Sequence, residues 1–234
     1  MKSIGYLVTV FNEYKTVKEA IQQVLDIKFP NKKILVIDNG STDGSKEIIE
    51  NFDQGQMKCI LREKNQGFGK SIQEGIKLLD TDYIYIQYSD LEYDHQRSLY
   101  MMDYAIKNDL DVVLGSRLLT DKIKNLPLID KIKLRPAYLA TIICTYLINK
   151  FYNKNFTDII GGKLYKRSSV IKIPISCFSA GFDFQFISRI IKSNLKVGEV
   201  SIDYKPRMNS KEKKIKPYHM INALYEIFKV KFFN

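Results

Sequence analysis

The residues able to do chemistry fall into a few short clusters. Asp38-Asn-Gly-Ser-Thr-Asp-Gly-Ser45 sets a carboxylate directly behind an apolar run at residues 34–37. A carboxylate so placed can accept a hydrogen bond from a base or a ribose, and the glycines let the backbone turn and approach a ligand. The same residue types also make ordinary turns and helix caps, so the segment taken alone leaves both uses open. Asn65-Gln-Gly67-Phe-Gly69-Lys70 brings two glycines and a lysine to the start of a helical pattern. That suits a phosphate-binding turn or, equally, a tight strand-to-helix connection. It has neither the Walker A spacing nor G-x-G-x-x-G, so nucleoside triphosphate hydrolysis is not expected. Ser89-Asp90-Leu-Glu92-Tyr-Asp94 carries carboxylates at alternate positions. Mg2+ and Mn2+ are typically held by one or two protein carboxylates plus substrate phosphates, a role that suits Asp90. The alternative is a solvated acidic turn.

These clusters need elements to position them. Strands are expected at residues 4–10, 34–37, 57–61, 83–87 and 112–114, with helices at 17–25, 45–52, 67–79 and 99–106 between them. Ser41 or Thr42 is the expected cap of the second helix. Repeated βα units predict an α/β fold built on a Rossmann-like, mostly parallel sheet flanked by helices. Ligands of such sheets bind beyond the carboxyl ends of the strands. Asn12-Glu13, Asp38, Asn39, Ser89-Asp90 and Gly115-Ser-Arg117 all fall at those ends, so one crevice should gather them. After Arg117 the segment 118–136 is basic and broken by Pro127 and Pro136, which reads as a long loop. Helices at 137–151 and 184–191, a strand at 196–202, a Lys-rich loop to Lys216 and a basic amphipathic helix at 218–232 complete the pattern.

Composition narrows the field. The 234 residues are 45% hydrophobic and 27% charged, which excludes a disordered, collagenous or coiled-coil chain. Lys and Arg number 37 against 26 Asp and Glu, and the net charge of +11 favours anionic partners, although a bias toward lysine codons would give the same surplus. Cys59, Cys144 and Cys177 are odd in number and form no C-x-x-C pair, so neither a disulfide framework nor a zinc knuckle is expected and a cytosolic setting is. With only His95 and His219, any metal must be held through oxygen. No helix-turn-helix or aromatic RNA-binding motif is present, and nucleic-acid binding is not expected.

Residues 3–11 run into Asn12-Glu13 without a cleavage pattern, so no secretory signal is expected. The longest apolar run, 137–148, is short of the ~20 residues a spanning helix needs. It is flanked by Lys131, Lys133 and Arg135 on one side and by Lys150 and Lys154 on the other. The last helix sets Lys229 and Lys231 beside Ile227, Phe228, Phe232 and Phe233. Basic amphipathic helices bind anionic headgroups, each Lys or Arg adding ~1 kcal/mol near the surface. Peripheral contact with the inner face of the cell membrane is therefore expected. Core packing, or pairing with a second copy of the chain, is the alternative.

Taken in order, Val8-Thr-Val-Phe-Asn-Glu13, Val36-Ile-Asp-Asn-Gly-Ser-Thr-Asp-Gly-Ser45, Asn65-Gln-Gly-Phe-Gly-Lys70, Gln87-Tyr-Ser-Asp-Leu-Glu-Tyr-Asp94 and Val113-Leu-Gly-Ser-Arg117 resemble the family 2 glycosyltransferases. Within that family the chain is most similar to the dolichol- or polyprenyl-phosphate sugar transferases. Thr157-Asp158, Gly162-Lys-Leu-Tyr165, Gly181-Phe-Asp-Phe-Gln185, Glu199-Val-Ser-Ile-Asp-Tyr204 and Arg207 extend the likeness over nearly the whole chain. The resemblance implies a GT-A type fold, an inverting transfer from a UDP- or GDP-linked sugar, and a need for Mg2+ or Mn2+. By the same resemblance Thr9, Phe11, Glu13, Asp38, Asn39, Gly67, Lys70 and Ser89 would hold the nucleotide. Asp90, helped by Glu92, would hold the metal. Arg117, Arg135 and Arg207 would hold phosphates of donor or acceptor. One domain is expected over residues 1–234, with 1–117 binding the donor and 118–234 facing acceptor and membrane.

A polyprenyl phosphate is already an anion and needs no general base, whereas a hydroxyl of a glycan or glycolipid needs one near its proton. Asp158 and Asp183 are the candidates for that task. The chain departs from the family at three points. Tyr88 stands where Asp is usual, which reduces D-x-D to Tyr88-Ser-Asp90; Asn39 replaces a common second Asp; and Thr9 stands where proline is frequent. The Tyr88 change opens another reading, a non-catalytic nucleotide-sugar-binding partner subunit.

Overall fold

The computed structural model describes residues 1–52, 55–121, 123–134, 137–205 and 219–233; Arg135, Arg207 and most of the Lys-rich loop before Lys216 lie outside them. The chain runs β1 (Ile4–Val10), α1 (Val17–Leu25), β2 (Lys32–Asp38), α2 (Ser45–Glu50), β3 (Lys58–Leu61), α3 (Phe68–Leu78), β4 (Tyr83–Tyr88), α4 (Arg97–Lys107) and β5 (Val112–Ser116). It continues through α5 (Leu128–Leu134), α6 (Ala137–Tyr152), β6 (Gly162–Lys166), α7 (Arg167–Val170), α8 (Phe182–Lys192), β7 (Val197–Ser201) and α9 (His219–Phe232). One sheet takes the seven strands in the order β3-β2-β1-β4-β6-β5-β7.

β1 is buried along its whole length, as a central strand covered on both faces must be. Its alternation sorts the core. Leu7 joins Leu35, Ile37, Ile84, Ile86 and Leu114 on the face covered by α3, α6, α8 and α9. Tyr6, Val8 and Val10 join Val36, Tyr85 and Val113 on the face covered by α1 and α4. The sheet is mostly parallel, as the βα repetition predicts, with one exception. β6 runs antiparallel to both neighbours and separates β4 from β5.

That strand is not among those the sequence predicts, and its direction follows from the route of the chain. After β5 the backbone passes through α5 and α6 and re-enters at the carboxyl end of the sheet, where Gly162 pairs with Gly115. It can only run back down. The approach is close enough that a Cβ on Gly161 would lie 1.8 Å from the Gly115 carbonyl oxygen.

Three further expectations change. The segment 118–136 is not all loop, since α5 begins one residue after Pro127. Proline there fixes a helical φ without removing a needed donor, as it does at the start of a helix. The short helix α7 directly follows β6. Neither Ser41 nor Thr42 caps α2, which starts from Gly44 at φ 95°.

Candidate functional site

The carboxyl ends of β1, β2, β4 and β5 open on one side of the sheet, and their loops are tied together before any ligand is considered. Asn12, in the left-handed region at φ 51°, receives a hydrogen bond from the Thr42 N–H on its Oδ1 at 2.8 Å and donates its own N–H to Ser41 Oγ. The Glu13 N–H donates to Ser45 Oγ at 2.9 Å, and Ser89 Oγ donates to the Thr9 carbonyl at 2.8 Å. Thr9, Glu13 and Ser89 are therefore buried joints between β1, α2 and β4, while Phe11 is half-buried beside them.

Asp38 is held within its own turn. It has no exposed surface, and its oxygens accept from the N–H groups of Gly40 and Ser41 and from Ser41 Oγ. It closes its own turn. Asn39 links that turn to the next. Its Oδ1 accepts from Arg62 and from the Gln66 N–H, and its Nδ2 donates to Asn65 at 2.8 Å. Arg62, which the motif reading passes over, is buried here, donating to Ser71 and paired with Glu74 at 2.7 Å. The signal for it was its position immediately after β3.

Gly67 takes φ 90°, and a Cβ there would lie 2.2 Å from the Phe178 carbonyl. The glycines of Asn65–Lys70 thus admit the backbone of the 177–178 segment, and the Gly69 N–H donates to Phe178 O. Lys70 turns along its own helix toward Gln73 and Glu74 rather than over the turn.

Tyr88 ends β4, and its ring belongs to an aromatic chain. Phe68 stacks on Tyr88 with centroids 5.8 Å apart, Tyr88 meets Tyr93 at 5.2 Å, and Tyr93 meets Tyr204 at 5.3 Å. Burial first, and then the Asp183 carboxylate nearby, push the Tyr88 phenol well above its ordinary pKa, so it remains a neutral hydroxyl. Asp90 and Glu92 follow on the turn above this chain of rings. Asp90 Oδ1 accepts from the Glu92 N–H, and Glu92 Oε2 accepts from the Tyr204 hydroxyl at 2.8 Å.

Two carboxylates match what Mg2+ or Mn2+ takes from a protein when phosphates and waters fill the remaining positions. The donor set therefore fits such an ion, with Tyr88 contributing no charge. Among the described residues no group of three or more His, Cys, Asp or Glu is placed to hold one.

Asp158 and Asp183, the two candidate general bases, are unlike each other. Asp158 is fully buried, and Arg117 meets it three times: Nε at 2.6 Å and the backbone N–H at 3.1 Å on Oδ2, and Nη2 at 3.0 Å on Oδ1. The guanidinium also lies over the Tyr138 and Tyr204 rings. Burial works against both charges, but their mutual attraction wins, raising the Arg117 pKa and lowering that of Asp158. Glu199 on β7 holds the same loop by accepting from the Thr157 and Asp158 N–H groups. Arg117 and Asp158 are thus paired with one another below the surface.

Asp183, in the first turn of α8, is 18% exposed. Its Oδ1 is buried 3.0 Å from the ammonium of Lys163, and the exposure belongs to the rest of the side chain.

A seven-stranded sheet in this order, with a carboxylate turn beyond its central strand, has the architecture of GT-A glycosyltransferases, enzymes that take nucleotide-sugar donors. The family profile described as Glycosyl transferase family 2 matches residues 6–173, and the chain belongs to that family. It is 31% identical to poly-beta-1,6-N-acetyl-D-glucosamine synthase of Staphylococcus epidermidis over 124 residues, covering 52% of this chain and 30% of that one. The synthase of the same description from Staphylococcus aureus strain COL is 26% identical over 178 residues, covering 74% of this chain and 42% of the relative. The chain thus spans less than half the length of these relatives.

Crystal structures of glucosyl-3-phosphoglycerate synthase from Mycobacterium tuberculosis share the fold. One, in complex with Mn2+, uridine-diphosphate-glucose and phosphoglyceric acid, gives a TM-score of 0.69 at 12% identity over 98% of this chain and 79% of that one. Another, with Mg2+ and uridine-diphosphate, gives 0.66 at 13% identity over the same shares.

Proposed function

We propose that the chain transfers a sugar from a nucleoside diphosphate donor to a hydroxyl group of a glycan or glycolipid, with inversion and with Asp183 as general base. The observation that carries this reading is the half-clamped carboxylate of Asp183, the reachable one of the two acceptor-side candidates. In the transfer the acceptor oxygen forms a bond to the anomeric carbon while the bond from that carbon to the diphosphate breaks. The diphosphate leaves with the electron pair, and the acceptor proton passes to Asp183. Asp90, with Glu92 beside it, would hold Mg2+ or Mn2+, which when bound supplies positive charge to the diphosphate. The relatives add support, since they are synthases of poly-beta-1,6-N-acetyl-D-glucosamine and of glucosyl-3-phosphoglycerate, and the latter was crystallised with UDP and Mn2+ or Mg2+.

A polyprenyl-phosphate acceptor is the second reading, favoured by one surface. Ile143 and Tyr146 on α6 and Ile221, Tyr225 and Phe232 on α9 are exposed, and the two helices pack through Phe151 against Phe228 and Phe232. With Lys229 and Lys231 on α9 this makes an apolar face with basic residues, suited to an anionic lipid surface at the inner side of the cell membrane. No helix among the described residues is long and apolar enough to cross a membrane. Arg117 is already committed to Asp158, so an acceptor phosphate would rely on Arg135 and Arg207, outside the described residues.

Calorimetric titration with UDP and with GDP, each with and without Mn2+, tests the shared part of both readings. Metal-dependent binding of one nucleotide, lost in Asp90→Ala, is expected. Absence of binding by either nucleotide in the presence of metal would contradict both readings.

A further inference from the structure

Lys163 points into the protein from the second position of the antiparallel strand β6 and is only 1% exposed. A buried ammonium is tolerated only when its three protons and its charge are answered. Here the carbonyls of Ile160 and Gly161 accept from Nζ at 2.8 and 3.0 Å, the Tyr88 hydroxyl oxygen lies at 3.3 Å, and Asp183 Oδ1 at 3.0 Å. Two protons are thus spent on the backbone that leads into β6. The third is directed at the Tyr88 hydroxyl, and the buried Asp183 Oδ1, which accepts no hydrogen bond, meets the ammonium as an ion pair. The strand register explains how one side chain reaches both. Lys163 pairs with Ile86 on β4, Tyr88 lies two residues further along the same face, and α8 covers that face.

We propose that Lys163 is a positioning residue for the transfer, clamping one oxygen of Asp183 and tying it through the Tyr88 hydroxyl to the loop that carries Asp90. The inference rests on the reading of Asp183 as the reacting carboxylate. It also gives Tyr88 a use. Where a second metal carboxylate is usual, this chain has a neutral hydroxyl that touches the same buried cation as the acceptor-side carboxylate. Donor and acceptor carboxylates are thereby held on one rigid frame of β4, β6 and the first turn of α8. A carboxylate free to rotate would lose the near-attack geometry that makes proton transfer effective, and small misplacements of this kind cost on the order of 100-fold in rate.

The test uses the intact chain with UDP-glucose, UDP-N-acetylglucosamine and the corresponding GDP-sugars, water serving as acceptor and nucleotide release as the readout. Lys163→Met keeps the length and apolar stem of the side chain and removes the ammonium. Its expected kcat is lower by on the order of 100-fold, with nucleotide affinity in Mn2+ within about threefold of wild type. Tyr88→Phe, which keeps the stacked ring and so serves if Lys163→Met does not fold, is expected to lose about threefold to tenfold in kcat at unchanged affinity. Unchanged kcat in both variants, or kcat and affinity falling by the same factor, would overturn the positioning role while leaving wild-type turnover to support the transferase reading. A wild-type chain that releases nucleotide from none of the donors would overturn that reading, and the role of Lys163 with it.

Discussion

Two cation–carboxylate pairs sit on either side of the Gly161-Gly162 pair in sequence, and they have opposite characters. In the Arg117–Asp158 pair both carboxylate oxygens are occupied, with no exposed carboxylate surface, and the guanidinium lies over two tyrosine rings. In the Lys163–Asp183 pair one oxygen is buried against the ammonium and the rest of the carboxyl group is partly open. The first pair has the features of scaffold, a closed loop held in register with β5 and β7. The second has the features of a site. Residue type alone does not separate them; the number of valences already satisfied does.

The comparison can be broken most forcefully at Asp158. Asp158→Ala leaves a buried guanidinium without a counter-charge, and breaking a pair of this kind costs about 3–5 kcal/mol. The expected outcome is a large fall in the denaturant midpoint, and a change below about 1 kcal/mol would mean the pair is not sealed.

Acid titration of stability sharpens the same contrast, because Asp158 and the half-buried Glu199 that holds its loop have pKa shifts of opposite sign. Asp158 is held below its ordinary pKa, so its contribution is complete above the unfolded value near 3.9 and is lost as pH falls through its depressed folded value. Burial raises the pKa of Glu199, against the pull of the Thr157 and Asp158 N–H groups. Its contribution is complete below the unfolded value near 4.3 and is lost as pH rises through the folded value. Denaturation midpoints followed across that range should therefore show Glu199→Gln abolishing a decline with rising pH. A decline that survives the substitution would assign it to another group.

The smallest effect belongs to the apolar face. Ile221→Ser and Tyr225→Ser, at 67% and 61% exposure, should change stability by no more than about 0.5 kcal/mol. Retention on anionic vesicles should fall in the same variants. Vesicle binding equal to wild type would remove the lipid-surface reading of α6 and α9.

Much of the fold was legible because its signals are local. The apolar runs of β1, β2 and β4 and the helical spacing of α1 and α3 name their elements without reference to anything distant. β6 was not legible. Gly162-Lys-Leu-Tyr-Lys166 is a short strand interrupted by a lysine, and its place between β4 and β5 is set by the long return through α6 rather than by its own residues.

The site divides in the same way. Ordered motifs pointed to the strand ends and to Asp158 and Asp183 as candidates. That Arg62 underpins Asn39 and that Arg117 pairs with Asp158 depends on partners tens of residues apart. Tyr88 read as a lost metal ligand in sequence. Packed between Phe68 and Tyr93 and touching Lys163, it is a structural member of the crevice.

The central claim is that Asp183 reacts and Asp158 supports. The most direct measurement compares nucleotide release from the bound donor sugar by wild type and Asp183→Asn, with UDP affinity in Mn2+ measured on the same samples. The account predicts a kcat lower by about 100-fold to 10,000-fold, the contribution of a general base, with affinity unchanged within about threefold. A folded Asp183→Asn chain that turns over the donor at the wild-type rate would contradict it.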